Sequence, residues 1–391
     1  MSHLYLLGVA TLTLTSAGFA GSDTNADLQA RLEAAEARIN ELSAATNNNW
    51  LNDTRSDEIR SLVHDVLADA DNRASLQGSG STAGYNGGFT VGSADGNWSL
   101  KMNGLVQTSW SNVDDEAADT DGWGFDAVNS WMNFSGTVAG DYHYNVRYNW
   151  DGTNFLGEAS DLEWANVHFG IADGWNLTMG TQKVASSRIA LIDDQNQLGI
   201  NDEVYDVENG ATLGYASDDM RAWLQIFNND GDGAGNDSQY DFNGRLEYMV
   251  EGNWGQFDQF TSADGGAAGT LLGFSYMTTN SDGAEDGDST WTLDGQMQFG
   301  GSNLYFAYTE DSDDDGEDSD TTYVAYGMYL DADWEAYVQY MDDSDRDDPL
   351  WVIGVNNYWA GQNAKWTTEL HMNDADNGDT TTITSQIQLY F

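Results

Sequence analysis

The sequence predicts an all-β fold: a transmembrane antiparallel β-barrel of about sixteen strands, preceded by a short α-helical, coiled-coil-like segment. Three observations predict it. Residues 87–391 repeat a period-two alternation of apolar and polar side chains in segments often ten or more residues long. The connections between these segments alternate short and long. The chain ends at Phe391, on the apolar face of its last segment. Strand side chains point alternately to opposite faces, and membrane strands are longer than most soluble ones.

Taken in order, residues 1–20 resemble a secretory signal: the apolar run Leu4–Ala10 continues to Leu14, and Gly18-Phe19-Ala20 offers small residues for cleavage. No Lys or Arg precedes the run, only the free amine and His3, and it falls short of the ~20 apolar residues a spanning helix needs. Any membrane crossing is therefore expected of strands. Over 21–77 the spacing of Leu28, Leu32, Ala35, Ile39 and Leu42 is that of a heptad seam. A second amphipathic stretch runs from Ile59 to Ala70. Two readings stay open for this segment: a periplasmic trimerisation or spacer element, and a monomeric helical hairpin. Gly78-Ser79-Gly80-Ser81 reads as a flexible linker, placed over 78–86, with the barrel following at 87–391.

Within the barrel the expected strands are 98–110, 127–138, 142–150, 161–171, 175–183, 209–216, 219–228, 240–251, 267–278, 289–299, 303–310, 321–330, 333–341, 350–358, 363–372 and 380–391. Short turns such as 139–141 and 331–333 alternate with long loops such as 111–123 and 184–208. That alternation belongs to barrels with short periplasmic turns and long external loops. One connection breaks it: 252–266 is long where a short turn is due.

Composition narrows the function. Acids number 65 against 13 bases, a net charge of −52, which opposes nucleic-acid binding. The absence of Cys excludes disulfides, thiolate metal sites and Cys nucleophiles. A 40% hydrophobic content opposes disorder. No H-E-x-x-H, G-x-S-x-G or P-loop motif occurs, so no enzyme is expected; His143 and His371 are the only candidate lumen bases.

Gly84-Tyr85-Asn86-Gly87-Gly88-Phe89-Thr90-Val91, then Asp95–Gln107, and Leu177-Thr178-Met179-Gly180-Thr181-Gln182-Lys183 resemble the phosphate-selective porin O and P family, whose members carry a comparable N-terminal extension in some cases. The resemblance implies a sixteen-stranded trimeric barrel with a constriction narrowed by an inward-folded loop. It implies phosphate selectivity less well, because residues 84–391 hold only eight bases: Lys101, Arg147, Lys183, Arg188, Arg221, Arg245, Arg346 and Lys365.

Five of these, Lys101, Arg147, Arg221, Arg245 and Lys365, fall on the polar parity of their strands and are expected to face the lumen. The 184–208 loop carries Asp193, Asp194, Asp202 and Glu203; folded inward, it would set carboxylates across from wall bases and create a transverse field. The other reading pairs the wall bases with lumen acids such as Glu247, Glu335 and Glu369. Asp311, Asp313 and Asp315 precede Gly316 in the manner of a Ca²⁺ loop, but Thr322 stands where the closing Glu belongs. No cofactor is expected, beyond Ca²⁺ or Mg²⁺ held weakly by acidic external loops.

The expected function is an outer-membrane porin of a diderm bacterium, cation-preferring, passing ions and small hydrophilic solutes. Its helical segment would lie in the periplasm, its state would be a homotrimer, and its partners would be outer-membrane lipid and the barrel-assembly machinery. The alternatives are a structural or adhesive surface barrel with Ca²⁺-binding loops, and a soluble secreted acidic β-protein.

Overall fold

A computed structural model describes residues 25–45, 81–116, 120–149, 161–200, 206–228, 240–262, 265–279, 288–312, 318–344, 349–373 and 379–391. The chain divides into two units, Met1–Leu76 and Gln77–Phe391. In the first, α1 (Asn25–Ala45) carries the whole heptad seam. Leu32 and Ile39 on it are exposed. The signal segment, the second amphipathic stretch and the first part of the linker lie outside the described residues.

The second unit begins with a hairpin, β1 (Ser81–Tyr85) and β2 (Phe89–Ser93). The expected linker over 78–86 is thus a strand in its described part. Apart from Tyr85 its residues are small, with no apolar–polar alternation, so backbone pairing rather than side-chain pattern makes the strand. β2 lies on the first half of β3 (Ser99–Asp115), and β4 (Thr120–Asp126) on the second half. Part of the expected 111–123 loop is therefore strand, and the expected 127–138 strand is interrupted at 127–129, where Asn129 adopts a φ of 38°. That left-handed backbone breaks the ladder.

Around the ring follow β5 (Ser130–Val138), β6 (Tyr142–Asn149), β7 (Asp161–Ala172), β8 (Trp175–Lys183), β9 (Val207–Ala216), β10 (Met220–Asn228) and β11 (Tyr240–Glu251). Then come β12 (Gly269–Thr279), β13 (Asp288–Phe299), β14 (Ser302–Ser312), β15 (Ser319–Tyr329), β16 (Trp334–Asp343), β17 (Leu350–Tyr358), β18 (Ala364–Asn373) and β19 (Thr380–Tyr390). Each pairs antiparallel with the next, and β19 pairs with β3 from Thr380↔Asp115 to Tyr390↔Leu105. β3 and β5–β19 are thus the sixteen staves of a closed barrel. Closure leaves no edge among the staves, which a sheet in hydrocarbon requires.

Burial is inverted relative to a soluble protein. On β11, Leu246 and Tyr248 are exposed while Arg245 and Glu247 are buried; on β19, Ile387 and Leu389 are exposed while Gln386 and Gln388 are buried. The outer face is apolar and the inner face is amide, hydroxyl and charge, the arrangement a lipid-facing barrel needs. Among the described residues no helix is long and apolar enough to cross a membrane.

Candidate functional site: the lumen and its inward segments

The longest described connection, between β8 and β9, turns into the barrel. Of its apolar side chains, Val184, Ala185, Ala190, Ile192, Leu198 and Ile200 are buried, and Ile189 and Leu191 are half-buried. A short helix, α2 (Arg188–Leu191), forms within it, capped by the Ser187 hydroxyl, which accepts from the Ala190 N–H. The segment is bonded to walls far apart. The Arg188 N–H donates to Asp294 Oδ2 on β13 at 2.7 Å, and Asp194 Oδ2 accepts from Trp131 Nε1 on β5 at 2.6 Å. Asp194 also meets Arg147 on β6, which lies seven staves from β13 in a ring of sixteen. Further on, Lys365 Nζ donates to the Gln197 carbonyl at 2.8 Å, Asn356 Nδ2 to the Leu198 carbonyl at 2.9 Å, and the Ile200 N–H to Glu369 Oε1 at 2.7 Å. This segment crosses the lumen rather than lining one wall.

The aberrant connection between β11 and β12 enters from the opposite end. Its 3-10 turn, Trp254–Phe257, is capped by Asn253 and buries Phe257 against Met249 and Leu271. Beyond it, Gln296 and Gln298 on the inner wall hold the carbonyls of Gln259, Gln256 and Thr261. The two inward segments meet: the Phe260 N–H donates to the Asn196 carbonyl at 3.1 Å, and Arg188 Nη2 donates to the Phe257 carbonyl. Around that meeting point Ile192, Leu198 and Phe260 pack with the wall residues Tyr305, Tyr337 and Val352. An apolar cluster thus forms in the middle of a polar lumen.

Two charge clusters anchor the crossing. In one, the Arg147 guanidinium lies between the rings of Trp131 and Trp164, 3.8 and 3.7 Å from their centroids, and pairs with Glu163 at 3.3 Å, Asp194 at 3.4 Å and Asp193 at 3.5 Å. In the other, Arg245 Nη2 pairs with Glu247 and Asp294 at 2.9 Å each, and Arg188 joins Glu247 at 3.4 Å. Arg245 and Glu247 are fully shielded from solvent, and such groups are tolerated only when mutually paired and hydrogen-bonded.

The structure places the expected site residues as follows. Asp193 and Asp194 touch Arg147 directly, so the loop acids stand in contact with a wall base and not across a gap from it. Arg245 pairs with Glu247, as the competing reading has it. Lys365 holds the loop backbone, and Arg221 lies over the Trp254 ring at 4.0 Å. Lys101 leans on the Gly87-Gly88 turn between β1 and β2, away from the crossing. Asp202 and Glu203 lie outside the described residues, as do Asp313 and Asp315. Asp311 lies near the end of β14, where its carboxylate accepts from the Thr290 hydroxyl. Among the described residues no group of three or more His, Asp or Glu could hold a metal ion. His371 bonds to Glu369 at 2.8 Å, and His143 stacks on His168 with centroids 4.8 Å apart. Arg188 and Asp294, central to the crossing, were not among the expected site residues; the apolar content of an apparently external loop is the signal that points to them.

Glycines on the inner wall leave room for this filling. A Cβ on Gly354 would overlap the ring of Tyr337, whose hydroxyl donates to Glu369 at 2.5 Å. We expect Gly354→Val to displace that ring and lower stability by about 1–3 kcal/mol, read as a drop in the urea midpoint of heat-modifiable gel mobility. An unchanged midpoint would show that the ring relocates freely.

The fold and its inward loop define a porin-like class of barrel, and comparison with solved structures agrees. The chain is similar to an anion-selective porin from Comamonas acidovorans (TM-score 0.55, 13% identity, 75% of this chain and 100% of that one). It is similar to a mutant form of the porin of Rh. blastica (0.53, 13%, 75% and 100%) and to Salmonella typhi OmpF in complex with daunomycin (0.52, 11%, 79% and 100%). No family model matches the chain, and no curated protein matches its sequence. The shared property is the sixteen-stranded fold.

Proposed function

We propose that the protein is an outer-membrane diffusion channel for ions and small hydrophilic solutes, preferring cations. The observation that carries this is the inverted barrel: an apolar exterior around a lumen of amides and charges, crossed by an inward loop. A lumen of that chemistry is wetted, and a barrel of sixteen strands is wide enough to leave an aqueous path. The preference follows from charge. Arg147, Arg188 and Arg245 are each tied to carboxylates and form no anion ladder, while the chain carries a net −52. Such a field concentrates cations and repels anions. This reading supports neither phosphate selectivity nor catalysis. A homotrimer, a periplasmic N-terminal helix, weak Ca²⁺ or Mg²⁺ binding at the acidic loops, and insertion by the barrel-assembly machinery belong to the same proposal.

Reversal potentials in a planar bilayer under a KCl gradient test it. We expect the sign of cation preference, shrinking as salt rises; anion preference would overturn the selectivity. A second reading is favoured by the meeting of the two inward segments: a plugged structural or adhesive barrel. Its mark would be absence of conductance together with Ca²⁺-dependent cell aggregation. Release from membranes by salt alone, without detergent, would instead favour a soluble secreted protein.

A further inference from the structure

On the short-turn side of the inward segments lies a cavity of about 510 Å³. Its wall includes Arg188, Asp193, Arg221, Trp223, Asp258 and Tyr390. Arg221 differs from the other described lumen guanidiniums in its bonding. Arg147 is tied to Glu163, Asp193 and Asp194, Arg188 to Glu247, and Arg245 to Glu247 and Asp294. Arg221 makes no ion pair and no hydrogen bond among the described residues; the face of Trp254 holds it. Among the described arginines of the barrel it alone has no carboxylate in direct contact; Asp258 and Glu247 act on it only through space. A guanidinium laid flat on an indole keeps its edge of N–H donors available, and that edge fits a carboxylate in bidentate fashion.

The same cavity offers the opposite charge. Asp258 is exposed on its wall with no hydrogen bond or ion pair among the described residues. Asp193, though paired with Arg147, keeps 49% of its side chain exposed. Trp223 and Tyr390 add aromatic surface to the same wall. Long-range charge then selects among carboxylates. A net −52 repels a plain anion before it reaches Arg221, whereas a solute carrying its own positive charge is not repelled.

We propose that this cavity is a binding site for small zwitterions of the α-amino-acid class. Arg221 takes the carboxylate, Asp258 takes the ammonium group, and Trp223 and Tyr390 cover the side chain. The inference rests on the channel reading in one respect, that solutes reach the lumen. Binding itself is measured without conductance, so the two fail separately: a conducting barrel that binds nothing sinks only the site.

The test is calorimetric titration of the full-length, detergent-solubilised protein with L-alanine, propionate, ethylamine and inorganic phosphate. L-alanine is expected to bind saturably, one per chain, and at least about tenfold tighter than propionate or ethylamine. Arg221→Gln should weaken alanine binding by on the order of tenfold or more, and Arg221→Lys by less. Asp258→Asn should weaken alanine but leave propionate unchanged. Heat-modifiable mobility confirms folding of each variant; if the Arg221 variants do not fold, the alanine–propionate difference in the parent and in Asp258→Asn decides the matter. Equal binding of propionate and alanine, tightest binding of phosphate, unchanged affinity in folded Arg221→Gln, or no saturable heat would each overturn the proposal.

Discussion

Shortening the connection between Glu251 and Gly269 to a two-residue Asn-Gly turn will raise single-channel conductance severalfold. The reason lies in where that connection goes. It enters the lumen, is held by Gln296 and Gln298, and ends against the other inward segment through Phe260 and Asn196. Its removal takes Phe260 out of the apolar cluster and frees the Asn196 carbonyl to water. An Asn-Gly turn suits a two-residue hairpin, and pore cross-section sets conductance directly. The measurement is a planar-bilayer recording of parent and shortened protein in the same salt. Equal conductance in a shortened chain that still runs as a folded barrel would show that the narrowest point lies elsewhere.

Arg245→Met should cost about 3–5 kcal/mol, the scale seen when one partner of a buried ion pair is removed. Its charge is the one Glu247 and Asp294 share at 2.9 Å, and all three side chains are shielded from water. Without it, two buried carboxylates face each other with only Arg188 to neutralise them. A triple variant, Arg245→Met with Glu247→Gln and Asp294→Asn, removes the stranded charges and should recover most of the loss. Urea midpoints read from heat-modifiable mobility compare the two. An Arg245→Met midpoint equal to the parent's would mean that water already reaches this cluster.

The sixteen staves were legible in the sequence because a period of two needs no tertiary context. The 175–183 and 350–358 strands match residue for residue, and the 252–266 anomaly marks the place where the second inward segment enters. What escaped has physical reasons. β1 is Ser-Thr-Ala-Gly-Tyr, with no alternation to betray it; its pairing with β2 rests on the backbone ladder, helped only by the Thr90 hydroxyl on the Gly84 carbonyl and the Tyr85–Phe89 ring contact. β4 extends the wall where Gly122 and Gly124 blank out the pattern. Within the lumen, parity told which way Arg147 and Arg245 face but not whom they meet, because the partners come from aperiodic chain. Arg188 sits on a connection where parity has no meaning, and the contacts that fix it run to Asp294 and to a carbonyl of the other inward segment.

The β3–β19 seam has a consequence for assembly. It joins residues such as Gln107 and Gln388, which are 281 positions apart, so nearly the whole chain must be in place before it forms. The inward loop between β8 and β9 bonds to Trp131 on the early side of the chain and to Gln388 on the late side. Contacts of such high sequence separation carry a large loop-closure entropy and form slowly. The filling of the lumen and the closing of the wall are therefore one late kinetic event: an unclosed barrel lacks the walls that hold the crossing segment.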